Sequence, residues 1–146
     1  MARRKAAPTT TPKPVTPPAG LLKDVWTYGQ LGQAMLFLAK QIPQRTSLRQ
    51  TLAFIIVVEK IAMGHEVVVS DLASIAGDDV HGQPVFGQSI NRSHQLLLAP
   101  TERDPDGLDW LYTEPDPTDA RRKILRLTPK GMEVAKKVAK ILKERE

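Results

Sequence analysis

The sequence predicts a mainly α-helical fold with a small β-hairpin near its carboxyl end. Three observations lead to this prediction. Two long stretches, 25–42 and 48–63, repeat apolar residues at helical spacing. Residues 107–127 alternate apolar and polar side chains on both sides of a turn rich in Pro and Asp, as in a β-hairpin. A last stretch, 129–142, again has helical spacing and follows a Thr-Pro start signal.

Composition is that of an ordinary globular domain with a basic leader. Of the 146 residues, 41% are hydrophobic and 25% are charged. Residues 1–20 contain four basic residues and no acid, so 17 basic and 16 acidic side chains remain elsewhere and the net charge there is +1 rather than +5. We predict a disordered basic arm over 1–20, which either contacts DNA or only aids solubility, and one domain over 21–146.

Several classes of protein are not expected. No apolar run approaches the roughly 20 residues that cross a bilayer, and the amino end lacks the apolar stretch of a secretory signal. We therefore expect a cytoplasmic protein with no membrane partner. Without cysteine there are no disulfides or thiolate metal sites. No nucleophile–base pair, phosphate-cradling glycine loop or carboxylate dyad is recognisable, so neither an enzyme nor a cofactor is expected.

The first predicted helix covers 25–42, with Asp24 as its capping residue and Pro43 as the residue that ends it. Leu36 and Phe37 lie off the apolar stripe of this helix. A helix that is apolar on more than one side must bury more than one side. We therefore expect contact with a second subunit, although a crowded core would also explain the pattern. The stripe consists of Leu31, Ala34, Met35, Leu38 and Ile42.

The second predicted helix begins after Ser47, is apolar nearly all round and ends at Gly64. Its composition is typical of a central buried helix. Next come a short strand over 65–69, a two-turn helix over 71–77 that Ser70 or Asp71 caps and Gly77 ends, and a loop over 77–84.

A helix with one polar face is predicted from Pro84 to Leu98. Its buried face holds Phe86, Ile90 and Leu97. The opposite face is either an ordinary exposed surface or a DNA-reading surface, and ordinary surfaces more often carry Lys and Glu. In the major groove, amide side chains pair with adenine and arginine pairs with guanine. The candidate base-reading residues are Gln88, Asn91, Arg92 and Gln95, with Ser89 and His94 as candidate backbone contacts.

The stretch DARRKILRLTPKG, residues 119–131, is a cationic strand that leads directly into a helix start. Upstream of this stretch, the short helix (71–77) and the polar-faced helix (84–98) are predicted to form a helix-turn-helix pair, and the hairpin beside them forms a wing. Wing cations can reach phosphates or the minor groove. Alternatively, the cations are solvated and neutralised by Glu114, Asp116 and Asp119. The wing cations are Arg121, Arg122 and Lys123, and the final helix has Thr128 as its cap and Pro129 as its first residue.

The same stretch resembles the signature of the MarR family of winged-helix transcription regulators. That signature is an Asp, an Arg two places on, Leu-Thr after a basic strand, and a Gly three places after the Thr. DLASIAG (71–77) looks like the first helix of the family's reading pair, and SINRSHQLL (89–97) resembles its recognition helix. In element order the resemblance covers 25–142. The matching signature residues are Asp119, Arg121, Leu127, Thr128 and Gly131.

The resemblance implies a homodimer built from the terminal helices that binds a pseudo-palindromic operator in double-stranded DNA. It also implies release of the DNA by a small phenolic or lipophilic effector. Asp119 can pair with Arg121 and stabilise the wing, and Gly131 allows close backbone approach. Where the family often has a second Arg, this chain has Ala120, and Arg122 can substitute for it. The loop 77–86 is also longer and more acidic than the family's turn.

The sequence therefore predicts a winged helix-turn-helix protein, dimerised through its terminal helices, that regulates transcription as a repressor. The alternative is a winged-helix module for protein interaction, or an architectural DNA binder without operator specificity. His65, His81 and His94, with Asp78 and Asp79 nearby, invite a metal hypothesis, but none shows close ligand spacing such as i, i+4 on one helix, so a metal site is not expected. Trp26, Tyr28, Met35 and Phe37 could line an effector pocket, although core packing is the commoner explanation.

Overall fold

The computed structural model describes residues 13–87 and 94–144. These residues form four α-helices and one three-stranded antiparallel sheet, in agreement with the predicted mixture of helices and a small hairpin. The helices are α1 (Val25–Gln41), α2 (Leu48–Ala62), α3 (Leu72–Ala76) and α4 (Pro129–Lys143). The strands are β1 (Val67–Val68), β2 (Leu111–Pro115) and β3 (Lys123–Leu127). Short 3-10 helices occur at Leu22–Asp24, Val69–Asp71 and His94–Leu97.

Both helices predicted to be capped by aspartate begin differently. The side chains of Asp24 and Asp71 make no capping hydrogen bond to α1 or α3. Each of these helices instead continues directly from a 3-10 turn, and its first amide donates to a carbonyl oxygen of that turn: the amide of Val25 donates to Leu22, and the amide of Leu72 donates to Val69. Backbone acceptors thus replace the carboxylate that the sequence pattern indicated.

The predicted boundaries of α2 are confirmed by hydrogen bonds at both ends. The Ser47 hydroxyl accepts from the amide of Gln50 at 3.2 Å, and the Gln50 side chain accepts from the amide of Ser47 at 2.9 Å. At the other end, Gly64 has a φ of 81° and His65 donates to the carbonyl of Lys60 at 2.9 Å. These bonds occupy backbone groups that a helix end otherwise leaves without a partner.

The predicted helix start at Pro84 is wrong. Pro84 forms an isolated antiparallel bridge with Asp78. The next amide, that of Val85, donates to the carbonyl of Gly77 at 2.9 Å, and Gly87 has a positive φ of 61°. A helix that begins at Pro84 needs helical φ and ψ over these residues, so the bridge across the loop overrides the local preference of proline.

The loop between α3 and Pro84 is organised around one carboxylate. Asp79 Oδ1 accepts hydrogen bonds from the amides of His81 at 2.8 Å and Gln83 at 3.1 Å. The Asp79 amide in turn donates to the Gln83 carbonyl at 2.6 Å. The acidic loop that separates this chain from a tight turn is therefore a closed, hydrogen-bonded structure.

In the sheet, β3 lies between β1 and β2 and is antiparallel to both. Leu125 of β3 pairs with Val67 on one side and Thr113 on the other, which confirms the predicted hairpin. One face of the sheet covers the core, where the rings of Phe54 and Trp110 have centroids 4.8 Å apart. The largest fully buried side chains are Trp110, Phe54, Leu72, Leu97, Leu111, Leu125, Val57 and Val67.

The start of α4 is held by Thr128, as predicted. Its hydroxyl accepts from the amide of Gly131 at 2.9 Å and donates to the carbonyl of Asp109 at 2.6 Å. The helix then packs along α1, and the Gln30 side chain donates to the carbonyls of Ile141 and Glu144 at its end. The apolar residues at helical spacing along α4 differ in burial: Leu142 is exposed, whereas Val134, Ala135, Val138 and Ile141 are at least partly buried.

Candidate nucleic-acid interface

The turn of the β2–β3 hairpin is organised by two aspartates. Asp116 Oδ1 accepts from both the amide and the hydroxyl of Thr118 at 2.8 Å, and Asp119 Oδ1 accepts from the amide of Arg121 at 3.0 Å. The backbone hydrogen bond from Thr118, then its hydroxyl, and the nearby Arg122 guanidinium hold the pKa of Asp116 below its ordinary value. Both aspartates therefore support the shape of the turn that carries the wing cations.

The two arginines of the turn also pair with these carboxylates. Arg121 Nε lies 3.5 Å from Asp119 Oδ1, and Arg122 Nη1 lies 3.6 Å from Asp116 Oδ2. The side chains of Arg121 and Arg122 are 95% and 53% exposed. Exposed ion pairs contribute about 0–1 kcal/mol, so Arg121 can exchange its carboxylate for a phosphate with little loss of stability. Arg122 pairs with a carboxylate that is only 11% exposed.

Arg126 in β3 is held more firmly than the wing cations. Its Nε donates to Glu114 at 3.2 Å and its Nη2 donates to Glu66 at 3.4 Å, so the side chain spans the outer face of the sheet. The hydrogen bond to Glu114 raises the pKa of Arg126 against the effect of desolvation, and the charges of both glutamates add to this. Glu114, expected beside the wing cations, is thus paired with Arg126 instead.

The wing borders an open cleft with a volume of about 560 Å³. Its floor includes the apolar side chains of Val68 and Leu98, and its other walls come from the start of β3 and from the segment after the 3-10 helix His94–Leu97. The cleft gathers five of the predicted site residues and backbone contacts together with one cation that the sequence did not single out. These are His94, Gln95, Arg121, Arg122, Lys123 and, additionally, Arg103.

Arg103 is carried by a braced loop. The amide of Thr101 donates to the carbonyl of Asp104 at 3.0 Å, and the amide of Asp104 donates to the Thr101 hydroxyl at 3.0 Å. At the far end of the loop, a Cβ on Gly107 would lie 2.5 Å from the carbonyl oxygen of Leu98. Sequence reasoning missed Arg103 because acids surround it at 102, 104 and 106; only the fold brings it to the wing.

The predicted base-reading residues are only partly described. Gln88, Ser89, Asn91 and Arg92 lie outside the described residues, as does the buried-face residue Ile90. Gln95 lies in the 3-10 helix, where the sequence predicted α-helix, and it borders the cleft. Phe86 and Leu97, on the predicted apolar face, are both buried. The described part thus gives the two ends of the predicted segment and places its carboxyl end against the wing.

The aromatic residues proposed for an effector pocket do not share a cavity. Trp26 borders a space of about 550 Å³ between α1 and α4, together with Leu31 and Leu142. Tyr28 and Met35 are exposed on another side of α1, and Phe37 is packed against the core. As for metals, residues 13–87 and 94–144 contain no group of three His, Asp or Glu residues placed to hold an ion.

The side of α1 that faces away from the core is apolar. Lys40 is the one charged residue in the sequence of this helix. Met35 and Leu36 are 49% and 47% exposed, whereas Ala34 and Leu38 on the other side are buried. A helix face of this kind is unusual for a surface in contact with water. Its members, read at helical spacing, are Val25, Tyr28, Gly29, Gly32, Met35 and Leu36.

Among the described residues, no helix is long and apolar enough to cross a membrane. No protein-family model, no curated protein and no solved structure matches the chain. The order of elements, the cationic hairpin and the cleft are therefore interpreted from this chain alone.

Proposed function

We propose that this chain is a winged helix-turn-helix protein that binds double-stranded DNA as a homodimer and represses transcription. In this proposal α3 and the segment 84–98 form the reading pair, and the β2–β3 hairpin is the wing. The observation that carries the proposal is the shared cleft: the carboxyl end of the segment that includes Gln95 lies against the hairpin that bears Arg121, Arg122 and Lys123.

The order of elements supports the winged-helix interpretation. A winged helix needs a short strand before the reading pair, and that strand must join the wing in one sheet. β1 precedes α3 and pairs with β3, so the hairpin shares one sheet with the strand that leads into α3. A duplex that received the segment in its major groove would then have a phosphate backbone between that segment and the wing.

The distribution of charge supports DNA as the partner. The folded region is close to neutral, yet four cationic side chains converge on one cleft. Two of them, Arg121 and Arg122, pair with carboxylates, and the exposed Arg121–Asp119 pair is weak enough to be exchanged for phosphate. Sequence choice is assigned to Gln88, Asn91, Arg92 and Gln95, and positioning on the backbone is assigned to the wing cations.

The exposed apolar face of α1 supports the homodimer. Because Gly29 and Gly32 have no atom within 4 Å of an added Cβ, the helix backbone is open to close approach there. We assign this face, with the adjacent part of α4, to the partner subunit. Sedimentation of the wild type and of Leu36→Lys tests the assignment: we expect a dimer and a monomer, whereas two monomers would contradict it.

A second candidate function is supported by the acids of the wing. Asp116 and Asp119 lie within 4 Å of the two wing arginines, and this arrangement also suits a hairpin that docks on a mixed-charge protein surface. The two functions differ in their response to salt. DNA binding weakens steeply with salt because counterions are released, whereas docking on a protein of mixed charge depends on salt much less.

The test is fluorescence anisotropy of the full chain with two duplexes across a salt series. One duplex is the region upstream of its own coding sequence, and the other is a scrambled version. We expect the native duplex to bind tighter by roughly a thousandfold. Equal, strongly salt-dependent binding to both duplexes would indicate an architectural DNA binder without operator specificity. No binding to either duplex at low salt would contradict the proposal of DNA binding.

In the same assay, variants distinguish the residues that recognise base sequence from those that contact the phosphate backbone. Arg122→Gln should weaken binding to both duplexes and reduce the slope of log affinity against log salt by about 0.9. Asn91→Ala should reduce the preference for the native duplex by about 1–3 kcal/mol and leave the slope unchanged. Lys137→Gln removes an exposed cation from α4, distant in sequence from the cleft residues, and is the charge-matched control. An unchanged preference in Asn91→Ala would remove that residue from the reading surface.

A further inference from the structure

The cations around the cleft fall into two groups. Arg121 and Arg122 are paired with the turn aspartates, at 3.5 and 3.6 Å. In contrast, Arg103 and Lys123 form no ion pair with any residue of the described ranges. They come from two separate segments, the braced loop after Pro100 and the first position of β3, and both side chains border the same space. Charge that is not neutralised by the protein is thus concentrated in one cleft.

The loop that carries Arg103 also presents a hydroxyl donor. The Thr101 hydroxyl oxygen accepts from the amide of Asp104, so its own hydrogen points elsewhere and is available to an acceptor oxygen. Thr101 and Thr113 both border the cleft. Because backbone hydrogen bonds brace the loop, little conformational entropy would be lost when a ligand engages it. Two cations from different segments with neighbouring hydroxyls form a donor set suited to a tetrahedral oxyanion.

One acidic side chain borders the same cleft. The described lining contains Arg103, Arg121, Arg122 and Lys123 against Asp104, which leaves a net charge of +3. Asp104 contributes to the loop through its backbone groups, and the hydrogen bonds described above do not involve its carboxylate. Its negative charge therefore opposes an anion in the cleft without being needed for the shape of the loop.

We propose that this cleft is a phosphate-binding site in which Arg103 and Lys123 supply the charge from opposite segments and Thr101 supplies a hydroxyl. The phosphate belongs either to the DNA backbone or to a free phosphorylated small molecule. Binding of a DNA phosphate rests on the proposed function, whereas the existence of a phosphate site does not. Arg103 and Asp104 thereby become determinants of binding that lie outside the helix-turn-helix and the wing.

Two titrations of the full chain test the site. In the first, inorganic phosphate is added at constant ionic strength, with chloride as the reference, while amide NMR signals of Thr101 and Lys123 are followed. We expect saturable shifts that weaken about tenfold in Arg103→Gln and in Lys123→Gln, which corresponds to the loss of one charge-assisted contact. Asp104→Asn should bind phosphate more tightly than the wild type, and Lys137→Gln should be unchanged.

The second titration uses scrambled duplex across a salt series. If the phosphate comes from DNA, Arg103→Gln and Lys123→Gln each reduce the salt slope by about 0.9. If the wild type binds phosphate through Arg103 but binds no duplex, the phosphate site is supported and its ligand is a phosphorylated small molecule. The same result contradicts the proposal of DNA binding. If the wild type binds duplex while Arg103→Gln alters neither titration, the site is wrong and the DNA proposal stands.

Discussion

The α-carbon of Gly131 lies directly against the backbone carbonyl of Trp110. A Cβ at position 131 would overlap the Trp110 carbonyl oxygen and come within 2.8 Å of its carbon. Trp110 is itself almost fully buried and accepts a hydrogen bond from the amide of Thr128 at 3.1 Å. The first turn of α4 therefore rests on the strand segment before β2, and the contact leaves room for glycine alone.

Gly131→Ala is expected to destabilise the protein by about 1–3 kcal/mol, because the added methyl group forces two buried backbone segments apart. Urea unfolding followed by circular dichroism measures this. Gly32→Ala, measured in the Leu36→Lys background that should be monomeric, is the matched control, since Gly32 is also helical but an added Cβ there meets no atom of its own chain within 4 Å. Its removal of backbone freedom should stabilise α1 by about 1 kcal/mol. Equal effects of the two substitutions would contradict the close contact at Gly131.

Thr128→Val is expected to cost about 2 kcal/mol of stability. Valine keeps the shape of threonine, but it leaves the amide of Gly131 and the carbonyl of Asp109 without their partner in a buried position. Thr128→Ser keeps the hydroxyl and should restore most of the loss. Thermal unfolding of the wild type and the two variants measures these differences. A valine variant as stable as the wild type would show that the Thr128 hydroxyl does not stabilise the fold.

Ser47→Ala and Asp24→Ala should differ, although both residues precede a helix and look alike as sequence signals. Ser47 makes a reciprocal pair of hydrogen bonds with Gln50, so its loss should cost about 1 kcal/mol. The Asp24 side chain makes no capping bond, so its loss should stay within about 0.5 kcal/mol. The free energy of unfolding of both variants is measured by denaturant titration at high salt, which screens the helix dipole. A larger loss at Asp24 would show that its carboxylate caps α1 in solution.

The wing turn should lose stability only in acid. Hydrogen bonds from Thr118 lower the pKa of Asp116 in the folded state, so the folded state favours the carboxylate. The resulting stability is present above the ordinary aspartate pKa of about 3.9 and is lost as the pH falls through the lower folded value. The difference in Tm between wild type and Asp116→Asn should thus be constant from neutral pH to about 5 and shrink below about 4.

An NMR titration of the side-chain carboxyl carbons checks the same point directly. The pKa of Asp116 should lie below the ordinary value, and in Thr118→Ala it should rise, because the hydroxyl hydrogen bond is lost. A normal pKa for Asp116 in the wild type would mean that the turn does not hold the carboxylate as described.

The boundaries of α1, α2 and α4 were predictable because each depends on residues close in sequence. Pro43 ends one helix, the Ser47–Gln50 pair begins another, and Thr128 with Pro129 begins a third. The hairpin was predictable for the same reason, since alternation and a turn signal both lie within 107–127. In these segments local hydrogen bonding and tertiary packing favour the same conformation.

The failures arise where another hydrogen-bond partner replaces the one that the sequence signal indicated. Pro84 has a helix-start preference, but the bridge to Asp78 and the bond from Val85 to Gly77 hold it in another conformation. Glu114 stands near the wing cations in sequence, yet the pairing of β2 with β3 directs it to Arg126. Asp24 and Asp71 could each cap a helix, but a preceding 3-10 turn already satisfies the amides.

Local sequence patterns account for the elements of this protein: a charge-poor first helix, a cationic hairpin, a polar segment before it, and start signals that act over a few residues. Which of these elements contact one another depends on the packing of the whole chain. The fold brings Arg103 and Lys123 to the same cleft and pairs Arg126 with Glu66 and Glu114. Helix caps and turns depend on hydrogen bonds between near neighbours, whereas a binding cleft depends on chain crossings that no local pattern records.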